Sequence, residues 1–161
     1  MAAIVIRPAA AAEVADVARV WQEGWADAHL GNVPRELVEA RTADWFQHRA
    51  RERLDGTIVA AVADAPTIVG FAIVEDDQVD QLHLARAARG RGVGAALLAA
   101  AEVAVLAAGH RRAWLAVATG NTAARRFYER QGWIDVGAFV HQAPVPGGSV
   151  PVDCHRFVSP R

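Results

Sequence analysis

Arg89-Gly90-Arg91-Gly92-Val93-Gly94-Ala95 decides how this chain is read. The stretch falls between a short alternating run, Val79–Leu84, and an apolar, alanine-rich segment that continues to Gly109. A strand, a glycine-rich turn and a helix start are therefore expected in that order. Glycines in such a turn let the main chain reverse sharply and aim several N–H groups at one point. The helix start adds donors without an intrahelical partner and the positive end of the dipole. Together these features suit an anion, and a pyrophosphate in particular. Arg89 and Arg91 add charge for phosphates that stay partly exposed. A turn that binds nothing needs fewer glycines and no arginines. Gly90-x-Gly92-x-x-Ala95 also satisfies the loose dinucleotide-binding pattern, but no acidic residue stands about 20 residues further on to hold a ribose. A P-loop is excluded because no Gly-Lys-Ser/Thr follows.

On the N-terminal side, Ile4–Arg7 is a β-branched run stopped by Pro8 and suits a first strand. Ala11–Ala28 places Val14, Val17, Trp21, Trp25 and Ala28 on one helical face. Pro34 opens a second helical stretch, Arg35–Leu54, with Leu37, Trp45 and Leu54 as its expected buried points. Thr57–Val62 and Thr67–Val74 flank Ala63-Asp64-Ala65-Pro66 and read as an antiparallel hairpin. Beyond the central helix, Arg112–Ala118 is a strand and Thr122–Gln131 a short helix closed by Gly132. Trp133–His141 and Val150–Val158 are strands joined by a Pro/Gly-rich loop, Ala143–Ser149.

The resulting order is β-α-α-β-β-β-α-β-α-β-β. The segment from Val79 to Ala118 is long enough for a right-handed parallel crossover, whereas the hairpins pair antiparallel. The class is α/β (α+β) with a mixed sheet, and a ligand is expected beyond the strand carboxyl ends. No repeat or linker divides the sequence, so one domain over residues 1–161 is expected.

A second segment agrees with the first. Asn121-x-x-Ala124-x-x-Phe127-Tyr128-Glu129-x-x-Gly132-Trp133 resembles the Asn-x-x-Ala-x-x-Phe-Tyr-Glu-x-x-Gly-Phe motif of the GNAT (GCN5-related) N-acetyltransferases. Arg89-x-x-Gly92-x-Gly94 resembles that family's Arg/Gln-x-x-Gly-x-Gly/Ala signature, preceded by the strand carrying Leu82-His83-Leu84. The resemblance implies acetyl-CoA as acyl donor, no metal, and a primary amine as acceptor. It implies that main-chain groups of Leu82, His83 and Leu84 pair with the pantetheine arm. Amides of Arg89, Gly90, Arg91, Gly92, Val93, Gly94 and Ala95 would hold the pyrophosphate. Asn121 would touch the pantetheine and Tyr128 the thioester sulfur. The family often has a proline where this chain has Arg86, which leaves the loop Ala85–Ala88 without that source of rigidity.

Acetyl transfer to an amine needs a base for the amine proton and gains from an acid at the departing thiolate. Tyr128, the one tyrosine, is either that acid or a core aromatic with a satisfied hydroxyl. Asp80 shares a face with Leu82 if the strand is regular, and is either the base or a solvated strand-end acid. His83 has a suitable pKa, but regular alternation sends it to the other face. Asn121 also reads as an N-cap, and Arg125 with Arg126 as a solvated pair. In the resembled fold the first two helices and the last hairpin shape the acceptor pocket, which makes Trp25 and His29 candidates there. His141, Asp153 and His155 make no strong metal signature.

Bulk properties exclude several classes. A net charge of −1 gives no footprint for nucleic acid or an anionic membrane. One cysteine, Cys154, cannot form an internal disulfide, and no secretory pattern opens the chain. A reducing, cytoplasmic setting is expected. The acceptor is a small-molecule or peptide amine. A homodimer is compatible with the resemblance, although no segment demonstrates an interface. The competing class is an inactive acyl-CoA-binding sensor, and thiol release with amines separates the two.

Overall fold

The computed structural model describes residues 3–160. Seven strands form one mixed sheet in the order β1-β2-β3-β4-β5-β7-β6. β1 (Ile4–Pro8), β2 (Thr57–Val62), β3 (Ile68–Glu75) and β4 (Gln78–Leu84) pair antiparallel in sequence. The crossover helix α4 (Val93–Ala107) then returns the chain to β5 (Trp114–Ala118), which is parallel to β4. β7 (Gly148–Val158) pairs antiparallel with both β5 and the edge strand β6 (Ile134–Val145).

One sheet face carries α1 (Val14–His29), α2 (Arg35–Ala40) and α3 (Ala43–Glu52). The expected stripe on α1 is buried here, with Val14, Val17, Trp21 and Trp25 inside. Trp21 is fully enclosed and meets Trp45 and Phe46 edge-on, at centroid distances of 5.6 and 5.7 Å. Truncating such a ring to alanine costs about 3–5 kcal/mol. The opposite face carries α4 and α5 (Thr122–Arg130), which bury Leu97, Leu98 and Val105 with Leu115, Trp133 and Phe157.

Two elements differ from the sequence expectation. Arg35–Leu54 is not one helical stretch but two helices, broken at Arg41-Thr42. Thr42 Oγ1 accepts the Trp45 N–H at 3.1 Å, and this cap opens a new helix in a new direction. The expected loop Ala143–Ser149 is mostly strand, with only Pro146-Gly147 left as the turn. Pro144 is tolerated because β6 is an edge strand. Pro151 lies where β7 has a single partner, since β5 stops opposite Cys154.

β4 and β5 matter most for the site. They pair at one position only, Gln78 with Trp114. The Trp114 N–H also donates to the Asp77 carbonyl, and its indole Nε1 to the Asp77 carboxylate at 2.9 Å. Beyond this pin no pairing continues, and a cleft opens between the carboxyl ends of the two strands. No helix of the described residues is long and apolar enough to cross a membrane.

Candidate active site

The cleft has a volume of about 440 Å³. It gathers Leu82, His83 and Leu84 from β4, Arg89 and Gly94 from the glycine turn, and Asn121 and Tyr128 from α5 and its cap. Asp80, Trp25 and His29 line it too. Gly90, Arg91, Gly92, Val93 and Ala95 belong to the same turn, beside the cleft wall.

The turn has the conformation its glycines anticipate. Gly90 and Gly92 have φ of +73° and +81°, a region that penalises any side chain by about 1–2 kcal/mol. Gly92 caps α4, and the first helical bond runs from Ala96 N–H to the Gly92 carbonyl at 3.1 Å. The amides of Val93, Gly94 and Ala95 therefore precede the helical ladder and are available to an anion. Gly94 is helical, and a Cβ there would make only ordinary contact with Leu84 and Phe127 at 3.4 Å, so neither its backbone nor its packing requires glycine.

Arg86 supplies the rigidity that a proline would have given. Its guanidinium donates twice to the Asp27 carboxylate of α1, at 2.9 and 2.7 Å. Arg89 donates to the same carboxylate at 3.0 Å. Asp27 thus ties the loop before α4 to the end of α1, and the hydrogen bond from Arg86 is the chief reason its pKa is depressed.

The expected alternation along β4 fails at Asp80. Ile73 pairs with Gln81 and Val74 with Val79, so Asp80 is an extra residue in a β-bulge. Leu82 packs towards α4. Asp80 instead feels the charges of Arg49, Arg53 and His141, and shares the α1–α3 face with His83 rather than opposing it. Burial is the main cause of a raised Asp80 pKa, which makes its carboxylate a stronger base than usual.

His83 is seated in a notch of α1. A Cβ on Gly24 would lie 2.7 Å from His83 Nδ1, so this glycine, which costs a helix interior about 1 kcal/mol, makes room for the ring. His83 Nε2 and Gln81 Oε1 are 2.9 Å apart. Burial, aided by the charges of His29 and Arg89, lowers the His83 pKa to about 3, so the imidazole is neutral at physiological pH.

Tyr128 is buried against Trp133 and Phe157 while lining the cleft. Burial pushes its phenol up, so it holds its proton at neutral pH. Asn121 Oδ1 accepts the Ala124 N–H at 3.2 Å, so the residue caps α5 while also facing the cleft. Trp25 and His29 stack at 5.0 Å, and His29 Nδ1 lies 3.0 Å from the Trp25 carbonyl. Arg125 is not solvated as expected. It donates to the Thr119 carbonyl at 3.1 Å and pairs with Asp135, whereas Arg126 is exposed.

Four further residues line the same cleft: Arg41 and Arg49, which the sequence did not single out, Trp45, expected only as a buried point, and His141, weighed only as a metal ligand. They come from the α2–α3 break, α3 and β6, and no local pattern joins them. No group of three or more His, Cys, Asp or Glu side chains is arranged for a metal among the described residues.

Residues 18–133 match the acetyltransferase (GNAT) family, well over half the chain. This chain belongs to that family. A GCN5-related N-acetyltransferase from Rhodopseudomonas palustris shares the fold, with a TM-score of 0.74 and 21% identity over 99% of this chain and 96% of its own. One from Kribbella flavida gives 0.72 and 24%, over 99% and 98%. The PaiA N-acetyltransferase of Thermoplasma acidophilum, solved with coenzyme A, gives 0.69 and 17%, over 96% and 98%. No curated protein matches the chain. As a GNAT acetyltransferase the protein uses acetyl-CoA as its donor, and the open glycine turn with three free helix-start amides fits the diphosphate of that donor.

Proposed function

We propose that this GNAT protein acetylates the primary amine of a small molecule or peptide by direct attack on the thioester. We further propose that it acts as a single domain in the cytoplasm. The observation that carries this reading is the opposed placement of Asp80 and Tyr128. One comes from the β4 bulge and the other from α5, and both face the opening between β4 and β5. Burial makes Asp80 a better proton acceptor; it keeps Tyr128 protonated while making the phenol a weaker acid, so the donor role rests on the place of Tyr128 in the cleft and not on its pKa.

Acetyl-CoA supplies the carbonyl carbon that the amine attacks, and its C–S bond breaks. Asp80 takes the proton that the amine must lose, directly or through water. Tyr128 gives its phenolic proton to the departing sulfur and regains one from solvent. The amides of Val93, Gly94 and Ala95, at the end of the turn from Arg89 to Gly92, hold the diphosphate. The β4 edge at Leu82, His83 and Leu84 has no strand partner on the β5 side, which suits main-chain pairing with the pantetheine amides. Asn121 stands where it can add a side-chain contact to that arm. Trp25 and His29 form the far wall, on the acceptor side.

Acetyl-CoA should raise the melting temperature in proportion to the logarithm of its concentration above Kd. Thiol release should follow when amines are added. Tyr128→Phe should slow the chemical step by about a hundredfold without weakening acetyl-CoA binding. Stabilisation without thiol release from any amine would identify a sensor, and an unchanged rate in Tyr128→Phe would remove the acid role.

A further inference from the structure

The acceptor wall holds two opposite charges that do not meet. Arg41 occupies the break between α2 and α3. Its guanidinium carbon lies 3.7 Å from the Trp45 ring centroid and 5.5 Å from that of Trp25. The two indoles fix the plane of the fork at the cleft wall. Its Nε is buried without a hydrogen-bond partner, and no carboxylate of the described residues forms an ion pair with it. Burial lowers its pKa to about 10, so it remains a cation at neutral pH. Arg49 lines the cleft nearby, and among the described residues its only ion-pair partner is Glu52 at 3.9 Å. Asp80 lines the cleft as well and likewise makes no ion pair among the described residues. Arg41 and Asp80 feel each other's charge across the cleft but make no direct ion pair. Charges withdrawn from water without a hydrogen-bonded counter-charge are costly, and a ligand that supplies one to each recovers that cost.

We infer that the acceptor is an aminocarboxylate, bound with its amine at Asp80 and its carboxylate on the fork of Arg41. The inference rests on the acetyl-transfer reading of the cleft and adds the substrate class. A planar, indole-stacked guanidinium matches a carboxylate through two parallel N–H···O bonds. The same pair of arginines repels polycationic amines. An amine at the end of a long peptide brings no carboxylate next to its nitrogen. A free amino acid meets both requirements, and Arg49, whose charge acts on both Arg41 and Asp80, adds positive potential to the site.

The test compares L-amino acids with their carboxamides, their decarboxylated amines and the matching aminophosphonic acids, at saturating acetyl-CoA. For wild type, kcat/KM should favour the acids over the amides and plain amines by at least about thirtyfold. Arg41→Gln should raise KM for the acids by a similar factor and leave KM for the amides and the acetyl-CoA affinity unchanged. Arg41→Lys should recover part of the loss. Binding of the N-acetylated acid should exceed that of its amide on the wild-type protein, a readout that does not depend on a variant folding. Equal use of acids and amides would overturn the inference. So would a preference for the phosphonates, or an Arg41→Gln defect that falls equally on all acceptors. Turnover of neutral amines alone would also overturn it while leaving the acetyl-transfer reading intact, whereas failure to bind acetyl-CoA at all would bring down both.

Discussion

The two walls of the cleft are made of different material. The wall proposed to hold the donor is main chain: a glycine turn, three amides at the start of α4 and the unpaired edge of β4. The wall proposed to hold the acceptor is side chain: Trp25, His29, Arg41, Trp45, Asp80, His83 and His141, drawn from α1, the α2–α3 break, α3, β4 and β6. A main-chain site is fixed once the turn is fixed, and it tolerates change in everything except the residues that shape the turn. A side-chain site depends on how separate elements pack, so it can vary while the donor wall stays constant. One fold can then keep one donor and change acceptors.

The largest effect that would test this division is chemical. Asp80→Asn should lower kcat by roughly 10²–10⁴, the usual weight of a positioned base. Acetyl-CoA affinity should not change. Because the active form is the deprotonated carboxylate, wild-type kcat/KM should rise with pH through a pKa above the usual carboxylate value. The variant should lack that limb in a pH–rate profile. A variant that kept the limb, or that bound acetyl-CoA poorly, would mean the walls are not separate.

A smaller effect should come from the donor wall. Gly92→Ala forces a side chain to a φ of +81° and should cost about 1–2 kcal/mol of stability. Its Kd for acetyl-CoA should rise by about tenfold, because the strain falls on the amides that meet the diphosphate. At saturating acetyl-CoA its acceptor preference should equal that of wild type. Calorimetry and the amine panel together decide the matter, and altered acceptor selectivity would break the comparison.

The smallest effect is on stability with pH. His83 has a folded pKa of about 3 against 6.5 for an unperturbed histidine, so the folded protein binds fewer protons there than the unfolded chain. Its contribution is complete above pH 6.5 and is lost progressively as pH falls towards 3. His83→Gln should flatten the unfolding free energy across that window by on the order of 1 kcal/mol, since the ring is only half-buried. Denaturant titrations at several pH values would show whether the profile flattens.

Local chemistry carried most of the element plan. The β-branched runs, the Asn121 cap and the glycines at 90, 92 and 132 each fixed a strand, a start or a turn within a few residues of its own position. The break at Arg41-Thr42 is local, set by the Thr42 cap, but two other misreadings share one cause, which is that each depended on a neighbouring strand. Pro/Gly content made residues 143–149 look like a loop, but pairing with β7 extended β6 to Val145. Alternation set Asp80 beside Leu82, but the bulge opposite Ile73 and Val74 turned it to the other face. Gly24 is the one local clue to the acceptor wall, because a glycine inside an otherwise regular amphipathic helix marks the approach of another group.

The order of residues alone determined the strand–turn–helix unit from Val79 to Gly109, and with it the family and the turn proposed to hold the donor. Those features arise from main-chain conformation, which depends on the residue in place and its immediate neighbours. Only the tertiary structure decided that Arg41 and Asp80 would share a cleft without touching and that His83 would be neutral. Charge placement and desolvation depend on which distant segments come to lie together, and no spacing along the chain encodes that distance.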